Sequence, residues 1–334
     1  MENGFQKYKF IAVIHFMRRN FYFIVKAGFT AVLLLFVFSK IDFSTFHSYL
    51  KTVSTFMLLL ALILMFLQCL LGAFKWHLIL RFVGIQQSFG IPLRVFWVGM
   101  FFNSFFPAGI AGDSVRVWMV QRLGHSLSKV VDSVLLDRLI GLFVMVLASL
   151  ISIFVLKKVV TNAFLIHLFE LFTLLGLIGF SVLSFLHRLP VKWTHFRILR
   201  AMYQLSLDTY MLCTSPAKTG LISVVAFISI SWQVLLVYVL AQAFHFQISF
   251  LHCWVFVPPV VLLTTLPISV GGWGIREGAM VTLSGMVGVS SSAALSLSIL
   301  LGLITVLISL PGGIVWMLWR NHTAAEMVQT IAST

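Results

Sequence analysis

Two short segments, 160 residues apart, place helix breakers and charges in the middle of apolar runs. The first is Pro107-Ala108-Gly109-Ile110-Ala111-Gly112-Asp113-Ser114-Val115-Arg116. The second is Pro267-Ile268-Ser269-Val270-Gly271-Gly272-Trp273-Gly274-Ile275-Arg276, followed by Glu277. Each has Pro, then Gly five residues on, then Arg nine residues on. In the first, Pro107 ends a helix, Gly109 and Gly112 permit a reversal, and Asp113 or Ser114 is placed to cap a following helix. The N-terminus of such a helix attracts anions, and Arg116 in its first turn is suited to hold a phosphate. The alternative is structural: Asp113 caps the helix and pairs with Arg116 at i, i+3.

The second segment repeats the logic. Gly271, Gly272 and Gly274 allow close backbone approach. Trp273 is either a stacking surface for a substrate or an interfacial aromatic. Arg276 and Glu277 are neighbours, so they are expected to project differently and to find separate partners, Arg138 or Arg116 in the case of Glu277. Asp137 and Arg138 lie about one turn inside an apolar run, 133–156. Ionisable residues at membrane depth are costly, which makes a paired or functional role the default. The alternative is a charge snorkelling to the interface.

The elements that must position these groups are membrane helices. The chain has 334 residues, of which 60% are hydrophobic and 10% charged, with mean hydropathy +1.06. Soluble domains carry about 25% charged residues. The reading is an all-α polytopic membrane protein, a single transmembrane domain over 1–334 with no soluble domain. Uninterrupted spans fall near 21–39, 53–74, 133–156, 163–186, 219–244 and 292–318, making about six full crossings. Two further stretches, 95–124 and 253–287, hold the Pro/Gly pattern. They form either re-entrant hairpins or broken crossings, the latter giving eight crossings.

The positive-inside rule separates the two arrangements. With hairpins and a cytoplasmic N-terminus, 16 of the 23 Lys and Arg fall on the cytoplasmic side. Lys40, Lys51, Lys157, Lys158 and Arg276 fall outside. With eight crossings the count is about ten on each side. Three crossings separate the hairpins, so they enter from opposite faces, as in an inverted repeat with halves of about 1–158 and 159–320. Irregular backbone at membrane depth must be buried in protein or line a cavity, so the two tips are expected to meet in a polar cavity.

The net charge of +14 fits orientation and anionic headgroups, and no nucleic-acid partner is expected. Cys69, Cys213 and Cys253 and the ten His show no metal-ligand spacing, so no metal or cofactor is assigned. No nucleotide or nucleophile motif occurs, and no residue is assigned a catalytic role.

Three motifs in order resemble a known family. They are Pro107…Gly112-Asp113…Arg116, then Ser133-Val134-Leu135-Leu136-Asp137-Arg138-Leu139-Ile140-Gly141-Leu142, then Pro267…Gly271-Gly272-Trp273-Gly274-Ile275-Arg276-Glu277. Together they resemble the transmembrane region of lysylphosphatidylglycerol synthases, a flippase-like family with many stand-alone members. In two-domain members this region is implicated in moving aminoacylated phosphatidylglycerol between leaflets, while a cytosolic domain performs the aminoacyl transfer. The chain is similar to a stand-alone member without that domain. One departure is Ala111 before Gly112, where the family often has paired Gly.

The resemblance implies a lipid translocator of the cytoplasmic membrane; composition makes it multi-pass, and the basic-residue split places both termini in the cytoplasm. Its expected partners are an anionic phospholipid or a polyprenyl-linked lipid and, second, a separate synthase or transferase protein. The headgroup site is expected at Gly112, Asp113, Arg116, Asp137, Arg138, Gly271, Gly272, Trp273, Arg276 and Glu277. The rival reading is a membrane glycosyl- or headgroup transferase using Asp113, Asp137 or Glu277, or an accessory subunit of such a pathway. It is less favoured because no Asp-x-Asp metal pair appears.

Overall fold

A computed structural model describes residues 53–106, 110–159, 163–185, 188, 203–207, 209–211, 214–265, 269 and 271–332. The expected first span at 21–39, the N-terminal charges, Pro107, Gly109, Pro267, Cys213, Lys192, Arg197 and Arg200 lie outside the described residues.

The described elements are helices: α1 (Thr55–Phe82), α2 (Gly90–Phe105), α3 (Ile110–Arg122), α4 (Leu127–Val159), α5 (Ala163–Phe185), α6 (Pro216–Ala243), α7 (Phe250–Thr264), α8 (Ile275–Gly285) and α9 (Ser291–Ala332). A helix satisfies its own backbone, which is the condition for crossing hydrocarbon. Four stretches are long and apolar enough to cross a membrane: Thr55–Phe82, Leu127–Phe154, Lys218–Ala243 and Ser291–Trp319. They match four of the expected spans. The expected span at 163–186 is helix α5. Bulky apolar side chains such as Phe56, Phe154, Ile314 and Met317 stay exposed along these helices. In a polytopic membrane protein lipid covers such faces.

The two interrupted stretches divide into short helices. The first gives α2 and α3, with 16 and 13 residues. The second gives α7 and α8, with 15 and 11 residues. In each pair the two helices pack on one another. Helix α3 begins at Ile110, earlier than expected, so Asp113 and Ser114 sit inside its first turn instead of capping it. Ser114 donates to Ile110 O at 2.7 Å within that turn.

A central antiparallel pair sets the directions. Helix α1 begins where α6 ends, and Ser54 N donates to Ala243 O at 3.0 Å. Along the pair Gln68 Nε2 donates to Ser229 Oγ at 3.0 Å and Trp232 Nε1 to Leu64 O at 2.9 Å. The pair α2–α3 follows the end of α1, and α7–α8 follows the end of α6. The two short pairs therefore start from opposite ends of the bundle. Their tips meet: Gly271 N donates to Phe106 O at 3.2 Å.

Prolines inside helices leave carbonyls that must be satisfied elsewhere. Pro258 in α7 has no N–H for Trp254 O, and Ser152 of α4 donates to that oxygen at 2.6 Å. Beside Pro311 in α9, Trp97 of α2 donates its indole N–H to Ile308 O at 2.7 Å. Helix α9 comes this close to α2 because Gly312 and Gly313 carry no Cβ. An added Cβ would strike the Trp97 carbonyl or the Phe101 ring.

Gly312→Ala is therefore predicted to lower the thermal unfolding midpoint of the purified protein by at least several degrees, by forcing α9 away from α2. Gly220→Ala, where an added Cβ meets nothing within 4 Å, is predicted to hold or raise it, since Ala is the better helix former. Scanning fluorimetry of the two variants in one detergent checks both. Equal midpoints would contradict the close-packing account.

Candidate functional site

The tips meet over a cavity of about 1120 Å³, at or above the upper end of ordinary ligand pockets. Its lining draws on both tips and on the long helices. Ser104 and Asn103 come from the end of α2, and Thr264, Thr265, Gly271 and Gly272 from the second tip. Lys75, Asp113, Arg116, Asp137, Arg138 and Arg276 supply charge. The remaining lining is largely apolar, including Met65, Phe96, Met100 and Val134.

One side of this cavity is a bridged ion cluster. Arg116 of α3 is buried, with its guanidinium carbon 4.1 Å from the Trp76 ring centroid and 5.2 Å from that of Phe96. Its Nη1 donates to Asp113 Oδ1 at 3.3 Å and its Nη2 to Asp137 Oδ2 at 2.9 Å. The i, i+3 pair is thus present, and a second carboxylate joins it. Lys75 Nζ meets Asp137 Oδ1 at 2.9 Å, and Arg138 Nε donates to Asp113 Oδ2 at 2.8 Å. Each carboxylate bridges two cations, tying α1, α3 and α4 together. Asp137 lies about three turns inside α4 and is buried, so it does not snorkel.

Local sequence makes room for this cluster. Gly112 adopts helical backbone, and its lack of a side chain lets α3 lie on α2. A Cβ there would strike Gly99 O and Asn103, and Gly112 N donates to Asn103 Oδ1 at 2.9 Å. A Cβ on Gly99 would stand 3.0 Å from the Arg116 methylenes.

The second tip uses glycine differently. Gly271, Gly272 and Gly274 have φ of +60°, +78° and +84°, the left-handed region that Gly occupies at no steric cost. Gly274 caps α8, and its N–H donates to Glu277 Oε2 at 2.5 Å. Arg276 and Glu277 do pair, contrary to the expectation from their adjacency: Arg276 Nη2 donates to Glu277 Oε1 at 2.7 Å. Glu277 curls back toward the helix start to cap it, and the long Arg276 chain bends the same way. Ser298 of α9 donates to Glu277 Oε1 at 3.0 Å and accepts from Arg276 Nε at 3.1 Å. These partners of Glu277 replace the expected Arg138 or Arg116. The Arg276 guanidinium carbon lies 4.5 Å from the Trp273 ring centroid. Gly302 leaves room for both side chains.

The cavity brings together Asp113, Arg116, Asp137, Arg138, Gly271, Gly272 and Arg276 from the expected set. Gly112, Trp273 and Glu277 stand behind its wall as packing, stacking and capping groups. Lys75 was missed because the expected span ended at 74. The sequence held a signal: Trp76, Ile79, Leu80 and Val83 follow the i, i+3, i+4, i+7 spacing of a continuing helix, and α1 runs on to Phe82.

Residues 23–312 match the family model described as the lysylphosphatidylglycerol synthase TM region. A comparison with curated proteins gave no match.

Removing one partner of a buried ion cluster leaves uncompensated charge, typically at a cost of about 3–5 kcal/mol. Asp137→Asn is predicted to lower thermal stability by that order. Asp132→Asn, whose carboxylate accepts from Ser128 on an exposed face at 3.3 Å, is predicted to change it little. Unfolding of both variants under one condition checks this. A mild effect at Asp137 would mean that the cluster does not hold α1, α3 and α4.

Proposed function

Because this chain belongs to the lysylphosphatidylglycerol synthase transmembrane-region family, we propose that it moves a phosphate-bearing lipid between the leaflets of the cytoplasmic membrane. The headgroup occupies the cavity between the two tips, and the acyl chains remain in the bilayer. The observation that carries this reading is the meeting of two Gly-rich tips, approached from opposite ends of the bundle, over a charged cavity.

In this reading each short-helix pair is a re-entrant hairpin. Legs of 11 to 16 residues fall short of the roughly 20 needed to cross hydrocarbon. The order long, short, short, long in α1–α4 recurs in α6–α9, which supports an inverted repeat whose halves rock about the central site. Lys75 and Arg138 meet the phosphate, while Arg116 holds the carboxylates that aim them. The basic-residue distribution orients both termini to the cytoplasm. The lipid is an anionic phospholipid or a polyprenyl-linked lipid, and a synthase or transferase that makes it is the natural partner. A transferase reading has less support, because Asp113, Asp137 and Glu277 are each already paired with cations and poorly placed to act as bases.

Reconstitution tests the proposal. The full chain in liposomes with fluorescent phosphatidylglycerol is expected to exchange label between leaflets faster than protein-free vesicles. Gly272→Val, forced to hold φ +78° with a β-branched side chain, is predicted to abolish exchange at equal incorporation. Gly179→Ala, with nothing near an added Cβ, is predicted to exchange at the wild-type rate. Gly176 is a poorer control, since a Cβ there would stand 2.7 Å from Val146 Cγ2. No exchange above background by the wild type, or full exchange by Gly272→Val, would contradict the proposal.

A further inference from the structure

We propose that a recess beside the main cavity, lined by Gln68, Ser229 and Gln233, is a second subsite that binds the uncharged hydroxyl groups of a phosphate-linked headgroup. This rests on the reading above and adds a recognition site whose residues lie apart from the ion cluster and from both tips.

The recess is a side chamber of about 80 Å³. Gln68, Ser229 and Gln233 line both it and the main cavity, so the two spaces adjoin along these side chains. Ile230 of α6 and Pro258 of α7 line the chamber alone. Among the described residues, no charged side chain lines it. The three polar residues sit near the middle of their helices, Gln68 in α1 and Ser229 and Gln233 one turn apart in α6. Polar side chains at such depth are costly and call for a partner or a role.

Only part of that need is met within the protein. Amides on facing membrane helices act as adhesive, and the Gln68 Nε2 bond to Ser229 Oγ at 3.0 Å does this. The other end of the same amide, Gln68 Oε1, is buried without a hydrogen-bond partner among the described residues. The Gln233 amide pairs with no described residue. Helix adhesion therefore leaves most of the polar capacity unused. An amide donates through its nitrogen and accepts through its oxygen, and a hydroxyl does both. Two amides and a serine hydroxyl around one uncharged recess match the adjacent hydroxyls of a polyol.

The placement along α1 ties the recess to the anion site. Gln68 and Lys75 both line the main cavity. They are seven residues apart, two turns on one face, or about 10 Å along the axis. A headgroup that meets Lys75 with its phosphate and extends along α1 brings its far end to Gln68. Glycerol and a sugar-like ring are the two sources of such hydroxyls.

Competition binding in detergent separates hydroxyl recognition from charge. The full chain, loaded with fluorescent short-chain phosphatidylglycerol, is titrated with dioctanoyl phosphatidylglycerol, phosphatidylinositol and phosphatidylpropanol. All three carry one phosphodiester charge, but the propyl headgroup has no hydroxyl. Both polyol lipids are expected to compete at least about fivefold more tightly than phosphatidylpropanol, the scale of one hydrogen bond. The tighter of the two identifies the source, glycerol or ring. Gln233→Met keeps the side-chain length and breaks no bond to a described residue. It is expected to hold the unfolding midpoint and the affinity for phosphatidylpropanol, and to lose most of the preference for polyols. Gln68→Met is expected to lose it likewise.

Equal competition by the three lipids in the wild type would overturn the inference, whether or not the variants fold, and would leave the anion site standing. A preference unchanged in folded Gln233→Met and Gln68→Met would also overturn it, by placing hydroxyl recognition elsewhere. If none of the three lipids binds, the inference falls together with the reading it rests on. A polyol preference that Gln233→Met loses, found with no leaflet exchange in liposomes, would support this inference and overturn the transport reading alone.

Discussion

A guanidinium buried among hydrophobic helices must be answered by charge and by a polarisable surface. Arg116 receives both, from Asp113 and Asp137 and from the face of Trp76. Much of the surrounding arrangement follows from that need. Asp137 comes from α4 and Trp76 from α1, so satisfying one side chain of α3 docks three helices together. Gly99 and Gly112 are required because α2 must pass close enough to cover the Arg116 stem. Each aspartate then has capacity for a second cation, and Lys75 and Arg138 take it. The cluster is thus braced on its buried side, with Lys75 and Arg138 as its more exposed cations.

The second tip solves a different problem with similar residues. Gly112 and Gly272 share the same offset from their prolines, yet they serve different physical ends. Gly112 is helical and matters because a Cβ would hit a neighbouring backbone, whereas Gly272 is needed for its left-handed φ. Arg116 is paired across helices, while Arg276 is paired with its own neighbour and with Ser298 of α9. A repeat at the level of spacing therefore covers two distinct local structures. The two tips remain joined through Gly271 and Phe106, which makes their contact the natural point of separation if the halves move.

The fold was largely legible in the sequence because membrane helices announce themselves by length and hydropathy. Spans at 53–74, 133–156, 219–244 and 292–318 correspond to α1, α4, α6 and α9, and the paired Pro/Gly breaks marked where two stretches would divide. Charge asymmetry bears on orientation in the membrane, whereas the structure shows only that the two short-helix pairs start from opposite ends of the bundle. The site was only half legible. Residue types at the tips could be named, but partners far apart in sequence could not. Lys75 with Asp137, 62 positions apart, is set by the packing of α1 on α4. Arg276 with Glu277 failed for the reverse reason: backbone direction alone does not say how two long side chains bend around a helix start. A helix boundary placed at 74 in place of Phe82 was enough to hide the cation that completes the cluster.

The central claim is that a lipid phosphate enters the cavity against Lys75 and Arg138. An experimental structure of the full chain in nanodiscs containing phosphatidylglycerol tests it most directly. The account predicts headgroup density between the two tips, with phosphate oxygens within hydrogen-bond distance of Lys75 Nζ and the Arg138 guanidinium. Lipid density confined to the outer faces of the bundle, with the cavity holding only water, would contradict it.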